Sequence, residues 1–266
     1  MKIRIISAIV ALLIFVPIIF YGGVLFNVAA YLIGLIGLKE FMDAGKDKKE
    51  IPFVVKFIAY VLISLIILTD VTRISINYSL DYRIIALLFL SLLTPVILYH
   101  DDNKYSIKDA FYLISGVLFL GISVALLIML RHIDLKLFIF LFIITITTDT
   151  FAYVTGCLIG KHKMVPKVSP KKTWEGMVGG TVMGVFISSM FYYTCINPSV
   201  SLLNLILVCT FLSLVGQVGD LVFSSIKRYF KIKDFSNIMP GHGGILDRLD
   251  SIIFVILGFT FFISIL

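Results

Sequence analysis

The chain opens with MKIRIISAIVALLIFVPIIF, Met1 to Phe20, two basic residues followed by an apolar run long enough to cross roughly 30 Å of hydrocarbon as a helix. Basic residues ahead of an apolar stretch also mark cleaved leaders. Here no small-residue cleavage site follows and further apolar runs do, so the stretch reads as an uncleaved first membrane helix. Hydrophobic residues make up 59% of the 266, and the mean hydropathy is +1.05, more apolar surface than a soluble core hides. The expected fold is all-α: a polytopic integral membrane protein with about nine transmembrane helices. They are expected near residues 5–20, 23–38, 53–69, 84–99, 109–130, 136–159, 176–195, 202–226 and 251–266.

Basic residues orient such a chain, because Lys and Arg stay on the cytoplasmic side. With the N-terminus cytoplasmic and nine crossings, only Arg73, Arg83, Arg131 and Lys136 of the 23 basic residues fall outside. The inner loops then hold Lys39, Lys46, Lys48, Lys49 and Lys56, the lysines from Lys161 to Lys172, and the cluster from Lys227 to Arg248. The net charge of +7 becomes a property of one membrane face, suited to anionic headgroups or phosphates. Short loops between spans are a poor fit to nucleic acid, so no nucleic-acid partner is expected. Cys157, Cys195 and Cys209 lack CxxC spacing and read as small apolar packing residues, without a disulfide or zinc site.

The two halves differ. Residues 1–135 are apolar spans joined by short polar loops, a scaffold and a place for dimer contacts; the mixed-charge run Lys39–Glu50 reads as a solvated, lipid-facing connector. Residues 136–266 carry polar groups inside the spans, and chemistry is expected there, within one membrane unit overall. In ITITTDTFAYVTGCLIGK (Ile144–Lys161), Thr145, Asp149, Tyr153, Gly156 and Gly160 share one helix face. An acid within a membrane helix is costly unless paired or wetted; Asp149 is either functional or a packing partner. The glycines of that face permit close helix approach.

A second stripe runs along SLVGQVGDLVFSSIKRYFK (Ser213–Lys231), where Asp220, Ser224, Lys227, Arg228 and Lys231 lead from an intramembrane acid to a cation cluster. Then comes PGHGGILDRLDS (Pro240–Ser251), a glycine turn entering a helix with Asp247 and Asp250 one turn apart and Arg248 beside them. Glycines and a helix N-terminus let amides approach an anion. Carboxylates beside fixed cations are what phosphoryl and nucleotidyl transfer need: oxygens for Mg2+, and cations against the charge of the leaving group. His242 fits a phosphate donor, a proton carrier or a loop residue equally. The SPKKT run (Ser169–Thr173) either forms a lipid-facing basic patch or starts the next helix with hydroxyls toward an anion, and Trp174 reads as an interfacial anchor.

These residues resemble the signature of the phosphatidate cytidylyltransferases, or CDP-diacylglycerol synthases. Ser224, Lys227, Arg228, Lys233, Asp234, Ser236, Pro240, His242, Gly243, Gly244, Asp247, Arg248 and Asp250 stand in register with it. Upstream, DTFAYVTG with GKHKMVPKVSPKKTWEG looks like a second family block, so the likeness covers about 149–251, while the N-terminal spans match in hydropathy and length alone. The resemblance implies the reaction CTP + phosphatidate → CDP-diacylglycerol + pyrophosphate. It also implies a bacterial inner-membrane location, a site facing the cytoplasm, divalent-metal dependence and a homodimer among membrane lipids.

On that resemblance, Mg2+ is expected on Asp220 and Asp247, with Asp250 as a supporting acid and a second, monovalent cation such as K+ left open. Lys227, Arg228 and Arg248 would hold triphosphate or lipid phosphate, with His242, Gly243, Gly244, Lys233 and Asp234 around them. Lys167, Ser169, Lys171, Lys172 and Thr173 would close over substrate, and Asp149 would orient a cation or a lysine. Two competing readings are a CDP-alcohol phosphotransferase, whose motif begins Asp-Gly, a dipeptide absent from this chain, and a transporter with Asp149 and Asp220 along an ion path.

Overall fold

A computed structural model describes residues 2–45, 50–71, 81–101 and 103–262. Lys46, Lys48, Lys49 and Arg73, which entered the charge asymmetry, and the last four residues of the ninth expected span lie outside the described residues. In chain order the elements are α1 (Lys2–Tyr21), α2 (Gly23–Asp43), α3 (Phe53–Val71), α4 (Tyr82–Tyr99), α5 (Ile107–Ile133) and α6 (Leu135–Ile159). They continue with β1 (Lys163–Val165), β2 (Ser169–Thr173), α7 (Trp174–Cys195), α8 (Leu202–Tyr229) and α9 (Leu246–Phe259).

Eight of the expected spans fall on helices, and of the ninth residues 251–259 do, α9 ending at Phe259. Among the described residues, α2 and α4 to α8 are long and apolar enough to cross a membrane, while α1 and α3 contain the shorter apolar helices Ile9–Tyr21 and Phe53–Leu68. Large apolar side chains stand outward, with Leu13 69%, Leu158 78% and Phe53 82% exposed. A water-facing surface does not carry such side chains so densely, and lipid is the solvent that accepts them. The chain is thus a polytopic helical membrane protein.

Three local expectations are corrected and one is extended. The SPKKT run does begin the helix that follows, Thr173 capping α7, but the run itself forms β2, antiparallel to β1 with Lys163 opposite Thr173 and Val165 opposite Ser169, a small hairpin among described residues that are otherwise mostly helical. The stripe on α8 ends at Tyr229, because Lys231 lies beyond the helix with φ +60°. The run Lys39–Glu50 is not all connector, since α2 extends through Asp43 and Glu40 is 2% exposed. Of the cysteines, only Cys209 is buried; Cys157 and Cys195 are exposed.

The chain divides into two compact units, residues 1–133 with 234–248, and residues 134–233 with 249–266. In the first, α5 is the most enclosed helix, buried along its length from Ala110 to Leu130. Phe41 of α2 stacks on Tyr112 of α5 with ring centroids 4.3 Å apart, and the Tyr112 hydroxyl donates to the Phe41 carbonyl at 2.7 Å. Arg131, ending α5, donates from Nε to the Ile19 carbonyl (2.7 Å) and from Nη2 to that of Phe20 (3.1 Å), satisfying carbonyls that the end of α1 leaves open.

In the second unit, α6 and α7 meet along a seam of small residues. A Cβ at Gly180 would stand 2.6 Å from the Thr148 carbonyl and 2.7 Å from the Ala152 Cβ, so only glycine allows the two backbones this close. Thr148 then reaches α8, its hydroxyl 2.9 Å from that of Ser213. On the other side of α8, a Cβ at Gly219 would lie 2.8 Å from the Asp250 carbonyl, so the helix segment bearing Asp250 packs directly on the one bearing Asp220.

Candidate active site

The second unit gathers acids and cations from four elements. Lys172, one residue from the end of β2, places Nζ 2.8 Å from Oδ2 of Asp220 on α8 and 3.2 Å from the Gln217 carbonyl. The hairpin delivers this lysine because Thr173, the next residue, is buried and caps α7, its Oγ1 accepting from the Gly176 amide at 3.1 Å. One turn beyond Asp220, the Ser224 hydroxyl donates to Asp220 Oδ1 at 3.2 Å, so both oxygens of that acid are held. Asp149 on α6 lines one small pocket with Ser251 of α9 and lies near enough to Asp220 and Lys172 to feel their charges.

Asp250 feels Asp220, Asp149 and Lys227, while its Oδ1 accepts from the Ser251 amide at 2.9 Å. Lys227, two turns along α8 from Asp220, is buried with Ser224. Three carboxyl groups and two ammonium groups therefore share one locality, where such charges act on one another. Arg228 turns away from them, its Nε 3.3 Å from the Val168 carbonyl and Nη1 3.2 Å from that of Ile232, and ties the end of α8 to the hairpin turn.

The first unit holds the glycine turn. Gly241 and Gly243 have φ of +78° and +85°, in the left-handed region that glycine enters without strain. The Met239 carbonyl accepts from the amides of His242 (2.9 Å) and Gly243 (3.1 Å). His242 Nδ1 lies 2.8 Å from the hydroxyl of Ser7 on α1, which also donates to the Pro240 carbonyl at 3.1 Å. With its proton on that carbonyl, the Ser7 oxygen is left to accept from His242 Nδ1–H. Asp247 is 8% exposed, and its Oδ2 accepts from the amides of Phe235 (2.8 Å) and Gly244 (2.9 Å). Arg248 donates from Nε to the His242 carbonyl at 3.0 Å.

The expected residues thus fall into two groups. Asp149, Lys172, Asp220, Ser224, Lys227 and Asp250 come together in the second unit; His242, Gly243, Gly244, Asp247 and Arg248 come together in the first. Ser169 is half-buried on β2, whereas Lys167, Lys171, Lys233 and Asp234 are exposed. Sequence reasoning missed Glu40, Ser7, Gln217 and Ser251. Glu40 had a signal, since Gly34, Gly37 and Glu40 follow at helical spacing and prolong the buried face of α2.

A hard divalent cation suits the carboxyl oxygens of Asp149, Asp220 and Asp250, and would relieve their mutual repulsion. No trio of His, Cys, Asp and Glu stands at ligand spacing for a metal among the described residues.

Comparison with known proteins agrees with this chemistry. A family model described as "Cytidylyltransferase family" matches residues 2–266. The phosphatidate cytidylyltransferase of Staphylococcus haemolyticus is 38% identical over 258 residues, 96% of each chain. Those of Staphylococcus saprophyticus and Staphylococcus aureus are 35% and 36% identical over the same share of both chains.

Proposed function

The chain belongs to the cytidylyltransferase family, and from that membership we propose that it transfers the cytidylyl group of CTP to phosphatidate, giving CDP-diacylglycerol and pyrophosphate. A phosphate oxygen of phosphatidate attacks the α-phosphorus of CTP, the bond from that phosphorus to the bridging oxygen of the β-phosphate breaks, and pyrophosphate carries the electron pair away. The observation that carries the reading is the contact of Lys172 with Asp220 beside Asp149, Asp250 and Lys227. Attacker and target are both anionic, so neutralising their repulsion is a large part of the catalytic task.

Lys172 and Lys227 supply fixed positive charge to the triphosphate. Asp220 orients Lys172, and Ser224 holds Asp220 in place. Arg248, His242 and the glycine turn bind phosphate oxygens in this reading. Mg2+ belongs to it, with Asp220 as a protein ligand in the second unit, and when bound it would draw negative charge off the phosphate oxygens. The strong bias of basic residues to one side supports an N-terminus and an active site at the cytoplasmic face of a bacterial inner membrane, with nine crossings. A homodimer completes the reading, by family resemblance.

Pyrophosphate release by the purified protein in detergent, with phosphatidate, Mg2+ and each of the four nucleoside triphosphates in turn, tests the proposal; adding K+ tests for a second cation. Release selective for CTP and dependent on lipid and metal supports it. No release from folded protein, or release without lipid, counts against it.

A further inference from the structure

We propose that Glu40 is a positioning residue for the reaction, acting from α2 on the turn that precedes α9; the inference rests on the function proposed above. Glu40 is 2% exposed, and both its oxygens are engaged. Oε1 accepts from the Ser236 hydroxyl at 2.6 Å and the Ile245 amide at 2.9 Å, and Oε2 accepts from the Leu246 amide at 2.8 Å. The Gly244 amide, immediately before these, goes to Asp247 Oδ2. Three consecutive backbone donors are therefore divided between two acids, one local and one from a distant helix.

Packing agrees with the hydrogen bonds. A Cβ at Gly244 would stand 2.6 Å from each Glu40 oxygen, so the glycine leaves the space that the carboxylate fills. Next to it, Gly37 of α2 packs on Leu246, where a Cβ would meet the leucine side chain at 3.2 Å. A buried acid is costly unless fully satisfied. An apolar residue at this position with a local cap for α9 would have met the needs of stability alone. Glu40 instead fixes the backbone from Ser236 to Leu246, and with it the departure points of His242, Asp247 and Arg248. Its carboxylate is enclosed by the protein and acts on substrate only through that segment.

The test compares the full-length protein with Glu40→Ala, Gly244→Ala and the double variant, using hydrogen exchange and steady-state kinetics on folded material. In Glu40→Ala, exchange in the segment 236–246 should quicken about tenfold through loss of its acceptor. The kcat should fall on the order of 10²-fold, as small misplacements of reacting groups do, with the KM for CTP moved less than about threefold. Gly244→Ala should impair the wild type more than it impairs Glu40→Ala, because removing the carboxylate opens room for the methyl group. Unchanged exchange, a wild-type kcat, a loss carried by KM alone, or full additivity of the two substitutions would overturn the positioning role. A wild type without CTP-dependent turnover would instead sink the underlying reading, and would be seen before any variant is compared.

Discussion

Lys172 on β2 and Asp220 on α8 form an ion pair, Nζ 2.8 Å from Oδ2, in which the lysine side chain is 25% and the aspartate 31% exposed. Both remain reachable from outside, so the pair is suited to exchanging partners when a phosphate or a cation arrives. Half-exposed ion pairs contribute only about 0–1 kcal/mol to stability. The pair's value therefore lies in chemistry. Asp220→Asn and Lys172→Met should each lower kcat/KM on the order of 10²- to 10³-fold, the scale of losing one charge-stabilising group. Both should melt within a few degrees of wild type, and thermal unfolding beside pyrophosphate release checks this.

Removal of divalent cations by a chelator should abolish turnover while leaving the melting temperature of the substrate-free protein nearly unchanged, because Asp220 and Asp250 are already held by Lys172, Ser224 and the Ser251 amide. CTP with Mg2+ should raise the melting temperature, by about 2.7 kcal/mol in stability at a hundredfold excess over Kd. Melting curves in the four combinations of CTP and Mg2+ read this.

Thr173 has a purely local task, capping α7 through the Gly176 amide. Thr173→Ala should cost about 1 kcal/mol and loosen the end of the hairpin that presents Lys172. Thr173→Ser keeps the oxygen and should retain most of both stability and activity.

At the α6–α7 seam, Gly180→Ala puts a methyl group 2.6 Å from the Thr148 carbonyl. Overpacking of this kind costs about 1–3 kcal/mol. Expression and melting temperature should fall, with turnover per folded molecule falling less than in Asp220→Asn.

Tyr105, in the loop between α4 and α5, is 1% exposed and donates to the Leu92 carbonyl at 3.0 Å. Burial, and then the charge of Asp109, pushes its hydroxyl above the ordinary value of 10.0. Below pH 10 both folded and unfolded forms keep the proton, and the contribution is fully present. Above pH 10 the unfolded chain ionises first, so stability is progressively lost as pH rises toward the folded pKa. Tyr105→Phe should cost about 1 kcal/mol near neutrality and flatten the loss above pH 10, which unfolding curves against pH measure.

What could be seen in the sequence depended on periodicity. The apolar runs placed the helices, and the spacing of Asp220, Ser224 and Lys227 put them on one face of α8, as the structure has them. Lys231 was misjudged because spacing continues through a helix end as readily as through a helix; only backbone geometry marks Tyr229 as the last helical residue. The SPKKT strand escaped because its partner, β1, pairs with it through backbone hydrogen bonds that side-chain pattern does not encode. Glu40 was hidden by Lys39, Asp43 and the lysines beyond, whose charge drew the loop boundary too early. Its partners Ser236, Ile245 and Leu246 are joined to it only by the fold.

The central claim is the bond that forms, and CTP labelled at one phosphorus at a time follows it directly. With phosphatidate and Mg2+, label at the α-phosphorus should move into the lipid fraction, while label at the γ-phosphorus should appear only in pyrophosphate. Label from the γ-phosphorus in lipid, or none from the α-phosphorus with folded protein and all three reactants present, would contradict the account.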